Sequence, residues 1–389
     1  MDFLHTGDFH FGGIPAIGKI TPHGIREREY DLIRALDTVK EIAKDESVDT
    51  IFVAGDIFNT SNPDSTSRMG WSQFLVSLIN GAVPSLRTAY FVLGNHDCPN
   101  NDIKADALKV DNQYVKALNG HEIEIHIAHE IECAIHIDDC GAKFGIILIP
   151  YKDDPDFIRE KVLALYSEHE SEVDHFIIVG HMEIKEAELG ANDTKLKCGF
   201  SYKDAVFSHK KLVYAALGHI HKPQSFINPE SAARIVYSGS PISKDFNEAA
   251  DWRRVIIGHV SGDGFFDHRE VQIPDRDFIT IENGEGFEEL TGEVVHGSIV
   301  KLRFKGTKDE LSKFNVASMI SKLEAMGALQ VKVDRTLLKE IKTDQDYDDF
   351  KEVSSIPKAC RTYVEKFAPK GLDKERLMSM ATSRVKGGK

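Results

Sequence analysis

Cysteine is scarce: five residues in 389 (Cys98, Cys133, Cys140, Cys198, Cys360), none in a Cys-x-x-Cys pair. That spacing excludes a zinc ribbon, argues against a disulfide scaffold and fits a reducing compartment. Long apolar runs are missing as well. No stretch approaches the roughly 20 residues that span a bilayer, and mean hydropathy is -0.28, so an integral membrane protein is not expected. The opening Met1-Asp2-Phe3-Leu4-His5 has neither the basic start nor the apolar core of a secretory leader, which makes the cytoplasm the expected compartment. Internal repeats and low-complexity tracts are absent. So is an excess of basic charge: the net charge of -14 argues against a simple basic nucleic-acid binder.

The length implies two or three domains, at about 150 residues each. Charge is unevenly placed along it. Residues 301–389 hold 20 Lys and Arg against 13 Asp and Glu, whereas residues 1–300 hold 28 against 49. An acidic body can still handle phosphates if it carries divalent cations, because bound metals are often the largest local charges.

Short apolar, β-branched runs recur at 50–54, 90–93, 145–149, 176–179, 213–217 and 254–257. Each is bounded by Gly, Asp or Pro and reads as a buried strand. Ile25, Leu32, Ile33, Leu36, Val39 and Ile42 recur near helical spacing and predict a helix over 26–44; Trp71, Phe74, Leu75, Leu78 and Ile79 predict another over 66–80. Alternating strands and helices predict a layered α/β domain over 1–272. After Ile273-Pro274-Asp275, a β-α-β unit is expected over 275–340. It comprises a strand at 298–304, a helix opened by the Thr307/Glu310 capping box with Leu311, Phe314, Ile320 and Leu323 on its apolar side, and a strand at 329–333. The tail, 345–389, is expected to hold two short helices. Ile356, Cys360, Tyr363, Val364 and Phe367 form the apolar stripe of the first, and the second spans about 373–384.

Five motifs share one geometry, an apolar run ending in ligand-type residues: Gly7-Asp8-Phe9-His10, Gly55-Asp56, Gly94-Asn95-His96-Asp97, Gly180-His181 and Gly218-His219-Ile220-His221. In α/β sheets, ligand sites form at the carboxyl ends of strands, and a glycine there lets the chain turn sharply. Without His96 and Asp97 the set offers two Asp, one Asn and four His as ligands. Mixed nitrogen and oxygen donors without thiolate suit Mn, Fe, Co or Zn rather than a structural zinc. Seven ligands exceed one tetrahedral ion but fit two that share a carboxylate. Two ions roughly 3.5–4 Å apart can activate a water and grip phosphoryl oxygens, and a spare histidine can protonate the leaving oxygen.

This ordered set resembles the calcineurin-like metallophosphoesterase superfamily. His5-Thr6-Gly7-Asp8-Phe9-His10-Phe11-Gly12, Gly55-Asp56-Ile57-Phe58 with Pro63, and Tyr237-Ser238-Gly239-Ser240-Pro241 with Phe246-Asn247-Glu248 are similar to its SbcD-type nuclease branch. The resemblance implies a two-sheet β-sandwich flanked by helices (1–272), a capping domain that contacts DNA (275–340) and a helical tail (345–389) that binds an SbcC-type coiled-coil ATPase. It implies that Asp8, His10 and His221 hold one metal, that Asn95, His181 and His219 hold the other, and that Asp56 bridges. His96 would act on the leaving group or on the transition-state charge, with Asp97 orienting it. The implied activity is Mn-dependent phosphodiester hydrolysis. It comprises 3′→5′ exonuclease action on duplex ends and endonuclease action on single strands, by a homodimer serving DNA repair, recombination or replication. Some members carry a histidine three residues after the bridging aspartate; here Asn59 stands there.

The same ligands would also serve a phosphatase, a nucleotidase or a cyclic-nucleotide phosphodiesterase, and a scaffold could retain the fold without the chemistry. The segment 237–248, the capping unit and the basic tail favour the nuclease. His126, His129 and His136 read as surface or loop residues, His5 as shaping the Asp8 turn, and Cys198 and Cys360 as small hydrophobes.

Overall fold

The computed structural model describes residues 1–99, 106–109, 123–190 and 199–338. The expected tail helices, with Cys198 and Cys360, lie outside the described residues. The described residues pack as two units: those of Met1–Ile281 with Glu285–Leu302 and Ala317–Val333, and Glu282–Gly284 with Arg303–Val316 and Asp334–Leu338.

Two six-stranded sheets build the first unit. Their strands are β1 (Asp2–Thr6), β2 (Thr50–Val53), β3 (Thr88–Val92), β4 (Glu124–Ala128), β5 (Glu132–Ile137), β6 (Lys143–Ile149), β7 (His175–His181), β10 (Leu212–Gly218), β11 (Gln224–Ile227), β12 (Arg234–Tyr237), β13 (Arg254–Val260) and β14 (Phe266–Gln272). One sheet runs β14-β13-β1-β2-β3-β4 and the other β11-β12-β10-β7-β6-β5. A small pair, β8 (Glu183–Ile184) with β9 (Gly199–Phe200), stands apart from them. The expected two-sheet α/β sandwich is borne out.

Alternation explains why the central strands read as unbroken apolar runs: both faces are buried. Phe3 on β1, Phe52 on β2 and Ala54 just after it point into the layer between the sheets, where Tyr90, Phe144, Ile177, Tyr214 and Ile256 meet them. Leu4, Ile51 and Val53 point outward against Leu32, Leu36, Val39, Trp71 and Phe74. Those residues lie on helices α1 (Glu27–Asp45) and α2 (Ser65–Ile79), within a residue of the expected bounds. Each such side chain contributes about 1.5–3 kcal/mol on full burial. The second sheet is covered by α3 (Pro155–His169), which the sequence reading missed. Asp154 caps it by accepting from Phe157 N–H, Pro155 occupies its first turn, and Ile158, Val162 and Tyr166 form its buried stripe.

Later elements are β15 (Phe278–Glu282), the short helix α4 (Gly292–Val295), β16 (Ile299–Gly306), α5 (Lys308–Leu311), α6 (Val316–Ala325) and β17 (Gln330–Leu337). The Thr307/Glu310 capping box is present. The single helix expected after it is instead two pieces. Asn315, a residue type favoured just before a helix, precedes the second. In the second unit, Arg303 pairs with Glu282 at 2.9 Å and with Asp334 at 3.5 Å, and the Phe304 and Phe314 rings lie 4.8 Å apart.

Two histidine readings are corrected. His136 is a buried strand residue on β5, with Nδ1 3.3 Å from the Tyr90 hydroxyl. His5 is fully buried between the sheets, where its Nδ1 pairs with the Tyr214 hydroxyl at 2.9 Å. Burial pushes the His5 pKa down to about 3. The unfolded chain therefore binds a proton there that the folded chain refuses, between roughly pH 3 and the free value of about 6.5. That contribution to stability is present above pH 6.5 and lost as pH falls. Urea unfolding at pH 7.5 and pH 5 should show His5→Gln losing less stability on acidification than wild type, with a slope smaller by up to about one proton. Equal slopes would contradict the assignment.

Candidate metal centre

Strands β1, β2 and β3 run parallel in one sheet, and β6, β7 and β10 run parallel in the other. The five motifs occupy the carboxyl ends of β1, β2, β3, β7 and β10, and the structure brings them together. Asp8 N–H donates to Gly55 O and His10 N–H to Asp56 O, both at 2.9 Å, which fixes the turn after β1 against the turn after β2. The sheets touch at Ala54: a Cβ on Gly218 would lie 2.0 Å from its carbonyl oxygen, and His181 Nδ1 donates to that oxygen at 2.9 Å. Gly94 is needed for the same reason, since a Cβ there would meet Asp56 Oδ1 at 2.0 Å.

Backbone strain gathers in these turns. Seven non-glycine residues have positive φ among the described residues, and four of them are Asp8 (53°), His10 (51°), Asp56 (49°) and His219 (99°). Such conformations cost of order 1–3 kcal/mol each and persist where packing enforces them, often at functional sites.

The side chains then converge. His10 Nε2 lies 3.0 Å from His221 Nε2, and an Asp56 Oδ2 stands 3.4 Å from both His10 Nε2 and His181 Nε2. Asn95 Oδ1 is 2.9 Å from His181 Nε2 and 3.3 Å from His219 Nδ1. Ligand atoms of Asp8, His10 and His221 fall within 4.8 Å of one another, as do those of Asp8, Asp56 and His181, and those of His10, Asp56 and His96. Backbone donors support the carboxylates: His219 N–H reaches Asp8 Oδ1 and His96 N–H reaches Asp56 Oδ1, each at 2.9 Å.

Charge in the cluster is set by burial and by the histidines. Burial lifts Asp8 to about 6, with His181 and His221 opposing it. Burial also acts on Asp56, but His181 and His10 outweigh it and hold its carboxyl well below the usual range. For His181, burial opposes the proton, yet Asp56 and Asp8 raise its pKa to about 9. Burial, aided by Lys244, holds His10 well below its ordinary value. This donor set fits divalent ions: it is buried, mixed in nitrogen and oxygen, free of thiolate and short of positive charge.

His96 and Asp97 occupy different positions. The His96 ring stands 4.8 Å from the His10 ring, and its Nδ1 donates to Asn59 O at 2.9 Å. Asp97 is fully buried and accepts from Phe58, Gly94 and Ile57 N–H at 2.8, 2.9 and 3.1 Å. The ring of His96 is thus anchored by the Asn59 carbonyl, while the Asp97 carboxylate ties the Asp56 turn to the Asn95 turn. Since a backbone carbonyl does the anchoring, the side-chain type at 59 is not required for it. The sequence reading missed Glu248 as a site residue. Its Oε1 accepts from His221 Nδ1 at 3.0 Å, and no spacing signal links residues 27 apart.

A family profile for calcineurin-like phosphoesterases matches residues 1–223, more than half of the chain. The chain belongs to the calcineurin-like phosphoesterases. Among curated proteins it is similar to the SbcD component of the nuclease SbcCD of Bacillus subtilis, at 28% identity over 280 residues covering 66% of each chain. It is similar to the SbcD component of the same nuclease from Staphylococcus epidermidis, at 21% identity over 99% of this chain and 97% of the relative. It also resembles the DNA double-strand break repair protein Mre11 of Archaeoglobus fulgidus, at 23% identity over 91% of this chain and 76% of that one. The alignment spans just under two thirds of the B. subtilis relative.

Truncating Asp97 to Ala would leave three buried N–H groups without acceptors, each costing about 1–3 kcal/mol. Denaturant unfolding of the metal-free protein should show Asp97→Ala destabilised by at least about 3 kcal/mol. A change below about 1 kcal/mol would contradict the role given to this carboxylate.

Proposed function

We propose that the protein is a divalent-metal-dependent DNA nuclease, the SbcD-type component of an SbcCD-like complex acting in DNA repair, recombination or replication. The observation that carries this is the convergence of Asp8, His10, Asp56, Asn95, His96, His181, His219 and His221 from five strand ends. The curated relatives, named as nuclease and double-strand break repair proteins, support DNA as the substrate. Asp8, His10 and His221 would hold one ion and Asn95, His181 and His219 a second. Asp56 would serve both, a role supported by its equal 3.4 Å distances to His10 and His181. Manganese suits the mixed donors.

The ions, when bound, supply Lewis acidity that lowers the pKa of a water and neutralises charge on the phosphoryl oxygens. The chain supplies the rest. With Nδ1 donating to Asn59, His96 turns Nε2 to the scissile group and delivers a proton to the leaving 3′ oxygen. Asp97 acts through the two turns it ties together. Exposed Lys305, Lys308 and Lys313 support phosphate contact by the capping unit, 275–340. The tail, 345–389, would dock an SbcC-type ATPase, and the protein would work as a homodimer in the cytoplasm. Among the described residues no helix is long and apolar enough to cross a membrane.

Digestion of an end-labelled linear duplex tests the reading. Wild type should remove nucleotides from 3′ ends with manganese and not with chelator, and His96→Ala should be slower by about 10²–10⁴-fold. Undiminished digestion by His96→Ala or Asp56→Ala would contradict it. So would turnover of a cyclic nucleotide far faster than of DNA.

A further inference from the structure

The two halves of the centre are braced by different chemistry. His181 donates Nδ1–H to a neutral backbone carbonyl, that of Ala54. His221 donates Nδ1–H to a carboxylate, that of Glu248. Glu248 is 1% exposed and firmly held. Lys244 N–H donates to its Oε2 at 2.9 Å. The guanidinium of Arg253, also buried, stands 3.9 Å from Oε2, donates to the Glu248 carbonyl at 2.5 Å and to Ser240 Oγ at 3.0 Å. Further along the same loop, Ser243 N–H donates to Asp275 Oδ2 at 2.7 Å, and Ser243 O accepts from Arg28. Arg28 is fully buried on α1 and paired with Asp31 at 2.9 Å. The loop carrying Glu248 is thus fixed at three points.

A carboxylate on the far nitrogen of a histidine fixes its tautomer and ring orientation and raises the basicity of the ligating nitrogen. A neutral carbonyl orients the ring without adding charge. The donor sets differ in the same direction: Asp8 on the His221 side, Asn95 on the His181 side, with Asp56 between them. Glu248 also lies beyond residues 1–223, the part matched by the family profile.

We propose that Glu248 is a positioning residue that fixes His221 as a ligand and makes the Asp8–His10–His221 half of the centre bind a divalent ion more tightly than the Asn95–His181–His219 half. Arg253, Lys244 N–H and the Ser243–Asp275–Arg28 contacts hold Glu248 for this purpose. The inference rests on the metal-centre reading above.

The test is calorimetric titration of manganese into the metal-free, full-length chain, for wild type, Glu248→Gln and Glu248→Ala, with thermal melting of each metal-free protein. Wild type should show two unequal affinities. Glu248→Ala should weaken the tighter one by about 10–100-fold and leave the other in place. Glu248→Gln keeps an acceptor for His221 Nδ1–H without the charge, so it should melt close to wild type yet lose affinity by a smaller factor, about three- to tenfold. Wild-type affinity at the tighter step in both variants would overturn the proposal, and lowered metal-free melting with unchanged binding would assign Glu248 a purely structural role. Wild type that binds no ion would remove both this inference and the metal-centre reading. The predicted binding pattern without DNA digestion would sink only the nuclease reading.

Discussion

The structure turns on the burial of three carboxyl groups where five strand ends meet. Asp8, Asp56 and Asp97 are each about fully buried. Among the described residues, the ion pairs to Asp8 and Asp56 come from histidines alone. An isolated buried carboxylate costs several kcal/mol even after relaxation. Backbone donors relieve part of that cost: His219 N–H serves Asp8, His96 N–H serves Asp56, and three N–H groups serve Asp97. What remains is a compact, electron-rich pocket whose outstanding need is positive charge. The imidazoles meet it only in part: Asp56 and Asp8 keep a proton on His181, while burial holds His10 well below its ordinary pKa. Divalent ions meet it well, because one ion neutralises two carboxylates and takes imidazole lone pairs as ligands.

The sandwich makes such a pocket possible. Parallel strands from two sheets send their carboxyl ends to one edge, and the Ala54 carbonyl between Gly218 and His181 brings those edges into contact. Strained φ values at Asp8, His10, Asp56 and His219 are tolerated because the strands behind them are locked by a core of large side chains such as Phe3, Phe52, Trp71 and Phe144. Rigidity in the sheets and strain in the turns are therefore one arrangement. The groups behind the imidazoles extend it: Ala54 braces His181, Asn59 braces His96 and Glu248 braces His221, each through Nδ1.

Much of this was legible in the sequence. Ligand-type residues directly after apolar runs carry a local signal, and so do the stripes of α1 and α2. Strands buried on both faces advertise themselves as apolar runs. Elements that face water on one side do not: β14 alternates polar residues, and β5 places His136 on its buried face, so neither stood out. Helix α3 carries a local signal too, in Asp154-Pro155 and in the spacing of Ile158, Val162 and Tyr166. The role of Glu248 is not local at all. It arises only when the loop after β12 folds back onto His221, held by Arg253 and by Arg28 from a helix some 215 residues earlier in the chain.

Anomalous diffraction from manganese-soaked crystals tests the central claim most directly. The account predicts two peaks flanking the Asp56 carboxylate, one within reach of Asp8, His10 and His221 and the other within reach of Asn95, His181 and His219. The absence of manganese from this cluster, or peaks confined to sites elsewhere on the chain, would contradict it.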